Sequence, residues 1–136
     1  MVALSLGDII AEKIMVPKKK LVTVTVDEKI AAADILMVRN GIGSLLILDK
    51  DDKLMGIITD GDIIKVRNST QIPHKTVDYL MTKNPITITS KTTLKSIVSI
   101  LIKHNIEHLP VVDAGEVKGI VSQTRILRII LKSLKD

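Results

Sequence analysis

The sequence contains no cysteine, no tryptophan and no phenylalanine, and its one aromatic residue is Tyr79. Without cysteine, disulfides and thiolate metal sites are excluded. With a single aromatic ring, bases have almost no side-chain platform on which to stack. Long apolar runs are also missing. The longest stretch free of Asp, Glu, Lys and Arg is Asn40–Leu48, far short of the roughly 20 residues that a membrane-spanning helix needs. No basic-then-apolar leader opens the chain, because Asp8 and Glu12 come early. A soluble cytoplasmic protein without membrane association is expected. There is no Gly-rich phosphate loop of the P-loop or dinucleotide type. No nucleophile–base pairing is readable, and the paired acids Asp51-Asp52 lie in a polar turn. The reading is of a protein that is not an enzyme.

What is present is ordinary for a globular chain: 136 residues, 46% apolar and 26% charged, with a net charge of +5. That length suits one compact domain. The charge is uneven. Residues 1–66 carry 9 Lys/Arg and 10 Asp/Glu, whereas residues 67–136 carry 11 and 5. A basic half can attract a polyanion, and Arg125, Arg128, Lys132 and Lys135 fall at helical spacings. A lysine-rich solvated surface explains the same pattern more simply, so nucleic acid is not expected as a partner.

The chain reads as two copies of one unit. Thr23-Val24-Thr25 parallels Thr87-Ile88-Thr89 at an offset of 64 residues (87 − 23), and Ile42 parallels Ile106 at the same offset. Gly56-Ile57-Ile58-Thr59 parallels Gly119-Ile120-Val121-Ser122 at 63 (119 − 56), a slip explained by a shorter loop in the second copy. Each copy has a lead-in helix ending at Met15 or Met81, then a β-branched strand at Leu21–Val26 or Pro85–Thr89. A helix follows, capped by Asp27 or Ser90 and closed by Gly41 or Asn105. Its apolar stripe is Ile30, Ala33 and Met37 in copy one, and Leu94, Ile97 and Leu101 in copy two. Two strands come next, Ser44–Leu48 with Leu54–Ile58 and Leu109–Val112 with Val117–Val121. A last helix starts at Thr59 or Ser122. The boundaries are 1–67 for repeat one with its lead-in, 68–75 for a polar linker containing Pro73, and 76–136 for repeat two, whose lead-in helix Thr76 would cap. A unit of about 60 residues buries only about 60% of its unfolded surface and is marginal alone. Two tandem copies would share apolar faces.

The order of these motifs, repeated twice, resembles a tandem pair of CBS (cystathionine-β-synthase-like) domains, a Bateman module. The resemblance covers residues 8 to 131. It rests on Ile14-Met15, on Tyr79-Leu80-Met81-Thr82-Lys83-Asn84-Pro85 and on the run from Asn105 to Asp113. Gly56 to Thr59 with Asp62, and Gly119 to Ser122, complete it. It implies an α+β fold of two βαββα repeats packed through their sheets with pseudo-twofold symmetry. It also implies a regulatory, non-catalytic role, binding of adenine nucleotides or related adenosyl compounds, and a homodimer.

Carried over by residue, the resemblance implies a ligand cleft using Thr59 and Asp62 from repeat one. Facing them would be Ile86, Thr87, Ile88, Ile106, Glu107, His108 and Pro110 from repeat two. A second, weaker cleft would use Ser122 with Val22, Thr23, Ile42, Gly43 and Ser44. A carboxylate can accept from both cis hydroxyls of a ribose in charge-assisted bonds, and a threonine hydroxyl beside free N–H groups suits a phosphate. In copy two Arg125 stands where copy one has Asp62. A guanidinium is donor-only, so one nucleotide per chain is expected, held by the cleft that owns Asp62.

A blander reading stays open at each point. Thr59-x-x-Asp62 is close to a capping box, and Ser122 reads as an N-cap. His104 and His108 lie four apart, but Asn105 interrupts the helix between them, so no metal site is expected. No cofactor is required; the ligand would be AMP, ADP or ATP, with S-adenosylmethionine an option, and an effector protein would receive the signal. The alternative is a ligand-free interaction or dimerisation module, and a weaker third reading is nucleic-acid binding through the basic last helix.

Overall fold

The structure is a computed structural model that describes residues 6–134. Two compact units are present, and they do not follow the repeat boundaries. One runs to Leu21 and resumes at Ile86; the other is Val22–Pro85. Each therefore combines the body of one repeat with the lead-in of the other.

The Val22–Pro85 unit begins with β2 (Thr23–Val24), the second strand of the chain, and continues with helix α2 (Ile30–Asn40), β3 (Ser44–Leu48), β4 (Leu54–Thr59) and α3 (Asp60–Val66). A short strand, β5 (Thr82–Lys83), closes it. Its sheet order is β2-β3-β4-β5. β2 runs parallel to β3, the other pairs are antiparallel, and Ser44 lies opposite Thr59. Ile30, Ala33 and Met37 place one face of α2 in a core with Leu45, Ile47, Ile58, Ile63 and Val77. That is the stripe expected from the sequence. α2 ends at Gly41, whose φ of 62° is left-handed, a conformation glycine adopts without a Cβ penalty.

The other unit holds α1 (Ala11–Ile14), β1 (Val16–Pro17), α4 (Leu94–His104), β6 (His108–Asp113), β7 (Glu116–Ser122) and α5 (Gln123–Ser133). Its sheet order is β1-β7-β6, and Ile88 adds a single parallel bridge to Val111. Its core contains Ile14, Ile88, Leu94, Ile97, Leu101, Leu109, Val121 and Ile126. Asn105, at φ 51°, closes α4 as Gly41 closes α2.

Both first strands are shorter than the sequence suggests, because only Thr23–Val24 and Ile88 find ladder partners. Two caps also move. α2 begins at Ile30 behind Lys29, with no side-chain cap, and Asp27 instead accepts a hydrogen bond from the Thr25 hydroxyl. α4 is capped by Thr93, which accepts from Ser96 N at 3.3 Å. Ser90 lies earlier, in a turn closed by Thr92 N to Thr89 O at 3.1 Å. The second lead-in is a 3₁₀ turn, Val77–Tyr79, rather than a capped helix, and the Thr76 hydroxyl donates to Asp78. In each case the residue is engaged elsewhere than at the helix start: Asp27 by the Thr25 hydroxyl, Ser90 by Asp113 and Thr76 by Asp78.

Candidate functional site

In the Val22–Pro85 unit, β4 breaks directly into α3 at Thr59. The Thr59 backbone is extended, at φ −116° and ψ 164°, so its side chain faces the first turn. The hydroxyl accepts from Asp62 N at 3.3 Å, while Asp62 Oδ2 accepts from Thr59 N at 2.9 Å. This is a complete capping box. It occupies one carboxylate oxygen; among the described residues, no donor within the chain engages Oδ1. Asp60 N donates to Gly43 O at 2.9 Å. Gly43, Ser44, Thr59 and Asp62 thus meet at one end of the sheet. Thr23 lies on the neighbouring strand opposite Leu46, and Val22 and Ile42 pack against the unit's core.

The other unit repeats this geometry with different chemistry. Ser122 pairs with His108, and Gln123 N donates to Glu107 O at 2.8 Å. Ser122 Oγ accepts from Arg125 N at 3.1 Å. Where Asp62 turns back to its cap, Arg125 extends to another element: its Nε donates to Ile14 O at 2.9 Å, tying α5 to α1. Arg125 is therefore a structural donor, a role its spacing did not reveal. Ile86 and Thr87 are exposed, while Ile88 is buried and hydrogen bonded at both ends, its N to Pro110 O at 3.0 Å and its O to Val112 N at 2.8 Å. Ile106 is partly buried against the core.

Each unit thus holds members of both expected clefts. Thr59 and Asp62 share theirs with Val22, Thr23, Ile42, Gly43 and Ser44. Ser122 and Arg125 share theirs with the residues from Ile86 to Pro110.

The two glycines that open the repeated motifs, Gly56 and Gly119, sit where another backbone comes close. A Cβ on Gly56 would lie 2.7 Å from both Met81 Sδ and Thr82 O; one on Gly119 would lie 2.3 Å from Val16 O and 2.9 Å from Met15 Sδ. Their signal was available in the repeat offset, since Met15 and Met81 are twins as Gly56 and Gly119 are.

The CBS domain family model matches residues 6–69 and 77–132. Inosine-5′-monophosphate dehydrogenase of Halalkalibacterium halodurans is 37% identical over 108 residues, which is 78% of this chain but 21% of that protein. The chain thus spans about a fifth of the length of this relative. Two solved structures superpose closely. CBSX2 in complex with AMP has a TM-score of 0.82 at 25% identity, covering 91% of this chain and 97% of that one. The CBS domain pair of protein MJ0100, in complex with 5′-methylthioadenosine and S-adenosyl-L-methionine, has a TM-score of 0.82 at 30% identity, covering 92% and 98%. Among the described residues, no helix is long and apolar enough to cross a membrane.

Proposed function

Because the chain belongs to the CBS domain family, we propose that it is a regulatory module that senses an adenosine-containing ligand and signals to an effector protein. The observation that carries this reading is the likeness to two CBS pairs with adenosyl ligands bound, at a TM-score of 0.82 in both cases. AMP, ADP or ATP is the ligand class, with S-adenosylmethionine as the neighbouring option. Asp62 supplies the chemistry. Its Oδ2 holds the cap at 2.9 Å, which fixes the rotamer, and its Oδ1 is left to accept from ribose hydroxyls. Such charge-assisted bonds contribute about 1.5–3 kcal/mol each. Capping and binding are then two uses of one carboxylate.

Arg125 turns its Nε toward Ile14 O and has no acceptor to offer, so one nucleotide binds per chain. The signal requires unequal ligand affinity in two states of the protein. We place the module in the cytoplasm as a homodimer. Twin positions on the two long helices support a dimer: Val38 on α2 is 71% exposed and Ile102 on α4 is 75% exposed.

Thermal unfolding with AMP, ADP, ATP and S-adenosylmethionine tests the reading. Ligand at 100 times its Kd adds about 2.7 kcal/mol. Asp62→Ala abolishes that increment, and calorimetry gives one site per chain. Two equal sites exclude the assignment to Asp62. No stabilisation by any of the four leaves the second reading, an interaction module working through its exposed apolar helices.

A further inference from the structure

We propose that Met15 and Met81 form a pair of oxidation sites: a hydroperoxide converts their thioethers to sulfoxides, and the lead-in strands β1 and β5 come off the sheets they close. With no cysteine and no tryptophan in the chain, the methionine thioethers are its readily oxidised side chains. Met15 and Met81 occupy equivalent places. Each backbone N–H closes the turn before its strand, to Ala11 O and to Val77 O respectively, at 2.8 Å in both cases. Each sulfur lies over a glycine of the receiving strand. Sδ of Met15 is 2.9 Å from where a Cβ on Gly119 would be, and Sδ of Met81 is 2.7 Å from the matching point on Gly56. Both residues are partly exposed, within reach of a small peroxide.

The sulfur attacks the peroxide, the O–O bond breaks, one oxygen stays on sulfur, and the other leaves as water or an alcohol. The sulfoxide is polar, and such a change disrupts apolar packing. Its oxygen is an acceptor, and each glycine position already faces a carbonyl, Val16 O at 2.3 Å and Thr82 O at 2.7 Å. The oxidised side chain is best accommodated by turning to solvent, which uncovers the glycine. The strands themselves are short. β1 and β5 have two residues each and pair at two positions each, and elements with so few bonds open at low local cost. The two lead-ins are not equal. Arg125 Nε also holds the first, through Ile14 O at 2.9 Å, whereas its twin Asp62 turns back to Thr59 N. The second lead-in, with Met81 and β5, therefore releases more readily. Two other methionines serve as internal references. Met37 is 3% exposed in the core, and Met55 is 38% exposed, next to Gly56 in β4 and so on the opposite face of that strand.

Treatment of the full chain with hydrogen peroxide, followed by peptide mass spectrometry, reads the sulfoxide at each methionine. Met55 is expected to oxidise first, Met15 and Met81 next, and Met37 last. Amide hydrogen exchange then quickens several-fold in peptides covering Val16–Pro17 and Thr82–Lys83, more in the latter, while α2 and α4 keep their rates. Met15 and Met81 as resistant as Met37 overturn the proposal, and so does their oxidation with exchange unchanged. Two variants separate the sulfurs. Met15→Leu with Met81→Leu, a swap of similar volume, is expected to hold both strands through peroxide treatment. Met55→Leu alters only an exposed side chain and is expected to retain the full response. A response that survives in the first variant, or vanishes in the second, assigns the effect to another residue and overturns the proposal.

Discussion

The carbonyl oxygen of Val16 stands 2.3 Å from where a Cβ on Gly119 would be. Pro17 pairs with Gly119 and Val16 with Ile120, so β1 approaches the centre of β7 as closely as a backbone without side chains allows. The same arrangement recurs at Gly56, under Met81 and Thr82. Two lead-in strands are seated on two glycines, each capped by a methionine.

Gly119→Ala should therefore destabilise the fold by about 1–3 kcal/mol, the usual cost of overpacking a tight site. Gly56→Ala should cost less. Its nearest neighbours at 2.7 Å are a methionine sulfur, which can rotate away, and a carbonyl, whereas Gly119 meets a carbonyl at 2.3 Å. Urea denaturation of both variants checks the ranking; equal effects would contradict it.

Arg125→Ala should lower stability by about 1.5–3 kcal/mol, the range for a hydrogen bond from a charged donor, because Ile14 O loses its guanidinium. Arg125→Lys should not recover the loss, since Ile14 O is met by Arg125 Nε, and at that position along its side chain lysine has a methylene, which cannot donate. Chemical denaturation read by far-UV circular dichroism separates the three proteins.

A third prediction concerns pH. The Ser90 hydroxyl, and after it the Ser90 backbone N–H, hold the Asp113 carboxyl below the ordinary aspartate range, with Lys118 and Lys91 adding to the effect. The N–H donates to Asp113 Oδ1 at 2.9 Å. A lowered value means that this contribution is complete above the ordinary aspartate value and is lost as pH falls through the folded one. Asp113→Asn should flatten the acid limb of a Tm-against-pH curve below about pH 4, with little change in its shape at neutral pH. Asp27, lowered chiefly by the Thr25 hydroxyl, should retain its part of that limb in the variant.

Much of the repeat body was legible in the sequence. Helix stripes and left-handed closures at Gly41 and Asn105 are local features, set by side-chain period and by backbone tolerance. The capping box at Thr59 and Asp62 was readable for the same reason. The starts of α2 and α4 were not. Asp27 and Ser90 have good capping side chains, but the Asp27 carboxylate accepts from the Thr25 hydroxyl, and Ser90 donates its N–H to Asp113, which lies 23 residues away in sequence. Nor was the split into compact units legible, because strand partners distant in sequence decide it. Nothing near Val16 announces that Ile120 is its neighbour. Arg125 was visible as a departure from its twin, but its acceptor, Ile14 O, lies 111 residues away.

The crossed lead-ins bear on how such a chain arises by gene duplication. β1 belongs in sequence to the first repeat and completes the sheet of the second, while β5 does the reverse. A lone repeat carrying its own lead-in has an unfilled sheet edge and a strand with no seat. Two such molecules satisfy each other only by trading arms. A fragment of residues 1–67 should therefore behave as an arm-exchanged dimer, and fusion of two copies turns that intermolecular trade into an intramolecular one, trading a dependence on concentration for a fixed local supply of the missing strand.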